Sequence, residues 1–233
     1  MSEKLRVLSF DLDDTLWPVR PVLIAAEKRV NQFLRKHCPE VFQRFDQDTI
    51  VQRRIELYKQ RPDLHHQISK LRIESVYLLI LDSGYSELEA RQLTEQAFEL
   101  FIEARHDVTL YDGVEDTLVA LKERFQLVAL TNGNADVMRL EIAHLFDFGI
   151  KAEDINSSKP AAPHFEMTLQ KFGIAAHEML HIGDNPEHDV LGAQQLGIPC
   201  VWINAENEPW PHEQQPDLIL RSVNELPDAI KSL

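Results

Sequence analysis

The chain has 233 residues, with 24 Lys and Arg against 38 Asp and Glu, a formal charge of −14. So acidic a chain lacks the basic surface that a nucleic-acid backbone or an anionic membrane requires, which leaves small molecules, phosphorylated ones included, because a pocket can carry the opposite local charge. Hydrophobic residues at 44% supply a core, and the two cysteines, Cys38 and Cys200, far apart and in no Cys-x-x-Cys pair, exclude a disulfide scaffold and a cysteine zinc site.

From the N-terminus, Leu5–Phe10 reads as a buried strand that Asp11 interrupts. No uncharged leader core follows Met1–Arg6, and no window reaches the ~20 apolar residues of a membrane span. The expectation is a soluble cytoplasmic protein with reduced thiols. Residues 17–106 read as helices almost throughout. Val22, Leu23, Ala26, Val30, Phe33 and Leu34 form one apolar stripe. A second helix is expected from Asp48, as N-cap, to Tyr58, and a third carries Ile68, Leu71, Ser75, Leu78 and Leu79. A fourth opens with the capping box Ser86-x-x-Glu89. Beyond residue 106, short apolar runs at Gln126–Leu130, Met179–Ile182, Pro199–Ile203 and Asp217–Leu220 alternate with helical patterns. Those patterns are Val114–Arg124, Ala135–Phe146, Pro163–Phe172 and His188–Leu196, with Gly173 and Gly197 at expected C-caps. Strands alternating with helices imply a parallel sheet. The expected fold is α/β: a Rossmann-like core of residues 1–16 and 107–233 carrying an inserted four-helix-bundle domain of residues 17–106. Asn204–Gln215, polar and Pro-rich, reads as a surface loop.

Chemistry gathers where strands end. The first ends in Phe10-Asp11-Leu12-Asp13-Asp14-Thr15, whose three carboxylates repel one another unless a cation or shared protons relieve them. Taken alone, an Asp-x-Asp is more often an acidic turn with Asp14 or Thr15 capping the next helix. The second strand ends at Leu130 before Thr131-Asn132-Gly133-Asn134, a strand–loop–helix turn whose hydroxyl and backbone N–H groups suit phosphate. Lys159, followed by Pro160, lies in a loop and reads either as a surface charge or as an anion anchor. The fourth strand runs out through Gly183-Asp184 to Asp189, which is either a helix N-terminal charge or a partner of Asp11 around magnesium. In open α/β sheets, sites form beyond the carboxyl ends of strands, and all four segments belong there.

This ordered set resembles the haloacid dehalogenase superfamily. Asp11-x-Asp13-x-Thr15 matches its first motif, Thr131 its second, Lys159 its third, and Gly183-Asp184 with Asp189 its fourth. The family also inserts a helical cap after the first motif, so the resemblance spans the chain. It implies Mg2+-dependent hydrolysis of phosphate monoesters, with Asp11 as nucleophile and Asp13 as general acid and base. Asp11, Asp184 and the backbone carbonyl of Asp13 would hold the metal. Thr131, Asn132 and Lys159 would bind the phosphoryl group, with Thr15 and Asp189 in support. The family's dehalogenases lack a carboxylate at the position of Asp13, because a halide leaves without a proton, so Asp13 favours the phosphatase reading. The Leu16-Trp17-x-x-Arg20-Pro21-Val22 stretch looks like the branch containing bacterial phosphatases of flavin mononucleotide and of ribitylaminouracil phosphate. Trp17 and Arg20 would there face the leaving group, or else pack the hinge and pair with a surface carboxylate. The expected partner is a small phosphorylated metabolite, with no nucleic acid and no membrane. A haloacid dehalogenase and a non-catalytic binding protein that kept the fold are the rival readings.

Overall fold

The computed structural model describes residues 5–232, and the reading of Met1–Lys4 as free of a leader lies outside them. The chain divides into two compact units, Met1–Val19 with Val108–Leu233, and Arg20–Asp107.

Strand β1 (Val7–Phe10) opens the first unit and is buried at every residue, as a central strand of a covered parallel sheet must be. The chain then builds the second unit. Its α1 (Val19–His37) buries Val22, Ala26, Val30 and Leu34, one residue per turn, and ends on Arg35, Lys36 and His37, where positive charge meets the helix dipole. The short α2 (Pro39–Arg44) was not expected. Pro39 occupies its first turn, where the missing N–H costs nothing. The cap of α3 (Gln47–Gln60) is Asp46 and not Asp48: the Asp46 side chain accepts from Thr49 N at 2.8 Å. After α4 (Ile68–Asp82), the capping box forms as read, Ser86 Oγ accepting from Glu89 N and the Glu89 carboxylate from Ser86 N, at the start of α5 (Glu87–Arg105). Val30, Leu34, Leu79, Ile80, Ala97 and Phe101 are among the residues of its core.

The first unit resumes with α6 (Val114–Lys122), β2 (Gln126–Thr131) and β3 (Phe148–Lys151). It continues through α7 (Ala152–Ile155), α8 (Pro163–Phe172), β4 (Met179–Gly183), α9 (Gly192–Gln194), β5 (Cys200–Ile203), β6 (Leu218–Leu220) and α10 (Leu226–Ala229). All pairings are parallel, in the order β3-β2-β1-β4-β5-β6. The order reverses direction beside β1, so the carboxyl ends of β1, β2 and β4 surround the switch point where such sheets form their crevice.

Two stretches depart from the sequence reading. Ala135–Phe146 is not one helix. Two 3-10 turns, Val137–Arg139 and Glu141–Leu145, are separated by Leu140 in extended conformation, and the Asp136 side chain satisfies Met138 N at the first. The chain can then drop into β3 at the sheet edge, a four-residue strand that was missed. Gly149 in it lies so close to Val137 that a Cβ would come within 2.8 Å of Val137 Cγ1. His188–Leu196 begins earlier, as a π-helical turn over Pro186–Leu191 whose first N–H groups, Glu187 and His188, are both capped by Asn185 Oδ1. Among the described residues no helix is long and apolar enough to cross a membrane.

Candidate active site

Asp11 leaves β1 with its N–H donating to Ile182 O, so the end of β1 stays locked to β4. The next six residues form a tight turn. Asp14 adopts left-handed backbone (φ 57°), which Asp tolerates better than most residues, and its N–H reaches Trp17 O at 2.7 Å. Its side chain accepts from Val19 N at the entrance to α1, so of the two capping candidates Asp14 has that contact. Trp17 is fully buried and donates its indole N–H to Asp13 Oδ1 at 2.9 Å, orienting that half-buried carboxylate. Arg20 is exposed on the first turn of α1, in the other unit.

Lys159 is no surface charge. At 2% exposure its ammonium sits 2.7 Å from Asp11 Oδ1, 2.6 Å from Asp189 Oδ1 and 2.5 Å from Leu130 O, so its three protons have three acceptors. Its backbone is clamped by Asn132, whose amide donates to Lys159 O at 2.8 Å and accepts from Lys159 N at 2.7 Å. The Asn132 side chain thus positions Lys159. Thr131 ends β2, buried, with Oγ1 accepting from Gly133 N at 2.9 Å.

The fourth strand delivers Asp184, whose Oδ1 accepts from Thr15 Oγ1 at 3.2 Å and whose carbonyl accepts from Trp202 Nε1 at 2.7 Å. Asp189 folds back over the strand. It occupies the space that a side chain at position 183 would fill, since a Cβ there would lie 2.2 Å from Asp189 Cγ. Its Oδ1 takes Lys159 and His181, and its Oδ2 takes Asn185 N at 3.0 Å.

The charges are unequal in comfort. Burial works against the charge of Asp189, but Lys159 and the His181 N–H outweigh it and hold the carboxyl well below its usual range. Asp11 is pushed well up, first by burial and then by Asp189 and Asp184, with Lys159 opposing. Asp184 is pushed up to about 7 by burial, with Asp189 and Asp14 adding repulsion. Oxygens of Asp11, Asp184 and Asp189 all lie within 4.8 Å of one another. Lys159 reaches two of these three carboxylates, Asp11 and Asp189, and the two with raised pKa, Asp11 and Asp184, are those whose charge a hard divalent cation would restore. Magnesium, an oxygen-seeking ion, fits this donor set. Of the three, Asp11 and Asp184 could hold such an ion more readily, because both oxygens of Asp189 are already engaged.

The family model for haloacid dehalogenase-like hydrolases matches residues 5–197. The chain belongs to that family. Among its relatives, the 5-amino-6-(5-phospho-D-ribitylamino)uracil phosphatase YigB of Escherichia coli is 30% identical over 204 residues, covering 88% of this chain and 85% of the relative. The phosphoserine phosphatase of Thermus thermophilus is 32% identical over 151 residues, covering 62% and 59%. The structure of a 2-haloacid dehalogenase from Pseudomonas syringae pv. Tomato DC3000 superposes with a TM-score of 0.92 at 34% identity, over 98% of this chain and 99% of that one. The haloacid dehalogenase-like fold accounts for the parallel sheet and the position of the cleft at its switch point.

Two groups buried behind the site escaped the sequence reading. Ser9 and His181 lie inside apolar strands, fully buried, where a serine or histidine passes for tolerated core. The one available signal was that each is the lone polar residue of its strand, two or three places before a motif aspartate.

Proposed function

We propose that the protein is a magnesium-dependent phosphatase of small-molecule phosphate monoesters, acting through an aspartyl-phosphate on Asp11. The observation that carries this reading is the pairing of two carboxylates with different surroundings: Asp11 buried against Lys159, and Asp13 half-buried and oriented by Trp17. A nucleophile has to be held and partly neutralised; an acid has to reach a leaving oxygen.

Asp11 forms an O–P bond to the phosphoryl group as the bond to the substrate's alcohol oxygen breaks, and Asp13 gives that oxygen its proton. Water then attacks phosphorus, Asp13 takes a proton from it, and the Asp11 carboxylate leaves, regenerated. Lys159 holds Asp11 in line throughout, and the Thr131 hydroxyl, which accepts from Gly133 N and keeps its own proton to donate, meets the incoming anion. Asp11, Asp184 and the backbone carbonyl of Asp13 would hold the magnesium ion, which would supply the positive charge that lets an anionic nucleophile meet an anionic phosphoryl group. The helical unit inserted after the first motif serves as the cap that selects the organic part of the substrate. The ribitylaminouracil phosphate named for the Escherichia coli relative is the first candidate, followed by flavin mononucleotide.

The dehalogenase similarity supports a second reading, attack of Asp11 on a carbon bearing a halide. Asp13 speaks against it, because a departing halide needs no proton. The deciding experiment offers p-nitrophenyl phosphate and a panel containing both riboflavin-type phosphates, with and without EDTA, beside 2-chloropropionate. Metal-dependent phosphate release is expected. Metal-independent chloride release with no phosphate release would establish the second reading instead.

A further inference from the structure

Ser9 and His181 are register partners on β1 and β4, each two residues before a site position, Asp11 and Gly183. Strand alternation therefore sends them to the sheet face on which the cleft is built. Ser9 Oγ lies 2.8 Å from His181 Nδ1, and His181 Nε2 lies 3.1 Å from Asp189 Oδ1, the oxygen that also receives Lys159 at 2.6 Å. Phe165 packs against the imidazole with the two rings nearly perpendicular and their centroids 5.0 Å apart. The four groups form one buried line: hydroxyl, imidazole, carboxylate, ammonium.

The line has a direction. An ionised carboxylate accepts and never donates, so Nε2 carries a proton. Burial, helped by the nearby Lys159 and opposed by the hydrogen bond to Asp189, lowers the pKa of the ring and so favours its neutral form. Nδ1 is then a bare lone pair, and the Ser9 hydroxyl, 2.8 Å from it and 3.5 Å from Leu180 O, donates to the nearer acceptor. Serine and carboxylate thus favour the same tautomer from opposite sides of the ring, and the Nε2–H of that tautomer tethers the carboxylate. Asp189 depends on this, because the absent side chain at Gly183 leaves its carboxylate lying directly over the strand with His181 at its side. Lys159 depends on Asp189 in turn, since a flexible four-carbon stem is aimed only by its acceptors.

We propose that His181 is a positioning residue: held as the Nε2–H form by Ser9, it pins Asp189 so that Lys159 stays directed at Asp11. The inference rests on the reading of Asp11 as nucleophile, and it goes further by making two strand-interior residues part of the catalytic support. Outer partners of this kind are commonly worth 10–100-fold in activity.

Long-range 1H–15N spectra of the metal-free protein test the first half. Protonated Nε2 with unprotonated Nδ1 is expected; protonation at Nδ1, or at both nitrogens, overturns the proposal. The second half is read from two substitutions of different reach. His181→Gln places its terminal amide near the position of Nε2 and can still donate to Asp189, whereas His181→Asn ends near Nδ1 and cannot. With p-nitrophenyl phosphate, His181→Asn should lower kcat by about 10–100-fold with KM little changed, and His181→Gln should retain most of kcat. Equal losses in the two variants, or a loss confined to KM, overturn it. Should His181→Asn not fold, Ser9→Ala takes its place: mixed tautomers and a lowered kcat support the proposal, and a wild-type spectrum with wild-type kcat overturns it. The spectroscopic arm uses no substrate. A protein that hydrolysed no phosphate ester would therefore refute the proposed function while the tautomer still decided this inference.

Discussion

Gly183→Ala tests whether the geometry around Asp189 is as unforgiving as it looks. The added methyl carbon would stand 2.2 Å from Asp189 Cγ and 2.3 Å from its Oδ2. Two carbons need about 3.5 Å, so the carboxylate must retreat by about 1.3 Å. That movement would stretch its 2.6 Å contact with Lys159 beyond hydrogen-bond range. If the side chain moved with its partners, the cost would be the ordinary overpacking penalty of about 1–3 kcal/mol. Asp189 is 1% exposed and bonded on both oxygens, so the expected outcome is the larger cost of breaking a buried ion pair, about 3–5 kcal/mol. Thermal unfolding followed by circular dichroism should show Tm lowered by about 10 °C, with turnover of p-nitrophenyl phosphate falling about 10–100-fold in the folded fraction. The control is Gly173→Ala, at φ +60° with open space around it, where only the left-handed backbone costs energy, about 1–2 kcal/mol, and turnover is untouched. A Gly183→Ala protein as stable as the control and fully active would refute the reasoning.

Asp13→Asn should slow alcohol release from an alkyl phosphate by about 10²–10⁴-fold but release of p-nitrophenolate far less, since a good leaving group needs no proton; equal slowing in a pre-steady-state burst would contradict the acid role. Lys159→Met leaves Asp11 and Asp189 buried without their cation, so urea unfolding should show a loss of about 3–5 kcal/mol, and a neutral effect would count against the ion pairs. Cys38 and Cys200, buried and pushed up to about 11 and about 12 chiefly by that burial, should resist iodoacetamide at about pH 8 in the folded protein and react in guanidinium, as intact mass would record. His164, buried beside Thr131 O, is pushed down to about 4 mainly by burial, so an unfolded ring protonates near 6.5 while the folded one does not. The unfolded state then binds the extra proton, and stability should fall as pH drops from 6.5 towards 4. Urea midpoints across that window should fall less steeply in His164→Gln; an unchanged slope would contradict the assignment.

The strands that carry the motifs were legible because a covered parallel strand is apolar at most of its positions and its site residues must fall just past its end. Val7–Phe10 with Asp11, and Met179–Gly183 with Asp184, follow that rule. Strand Phe148–Lys151 was not legible: it is short, holds a glycine and follows an apolar run that imitates a helix although Leu140 breaks it. The same limit applies to side chains. That Lys159 is buried could not be read from a Ser-Ser-Lys-Pro loop, because its burial depends on two carboxylates distant in sequence. Asp46 displaced Asp48 as cap by one polar contact, a choice that propensity alone leaves open. Ser9 and His181 were hidden because their partners are each other across a strand pair, and register is a property of the fold.

The central claim is a covalent bond between Asp11 and phosphorus, and it can be caught. The protein, with magnesium, is mixed with p-nitrophenyl phosphate, quenched in acid within the first turnover and reduced with borohydride, which converts an aspartyl-phosphate to homoserine. Peptide mass spectrometry should find homoserine at position 11 and at no other aspartate. Intact Asp11 in a sample that has released p-nitrophenol, or homoserine at position 13 or 184 instead, would contradict the account.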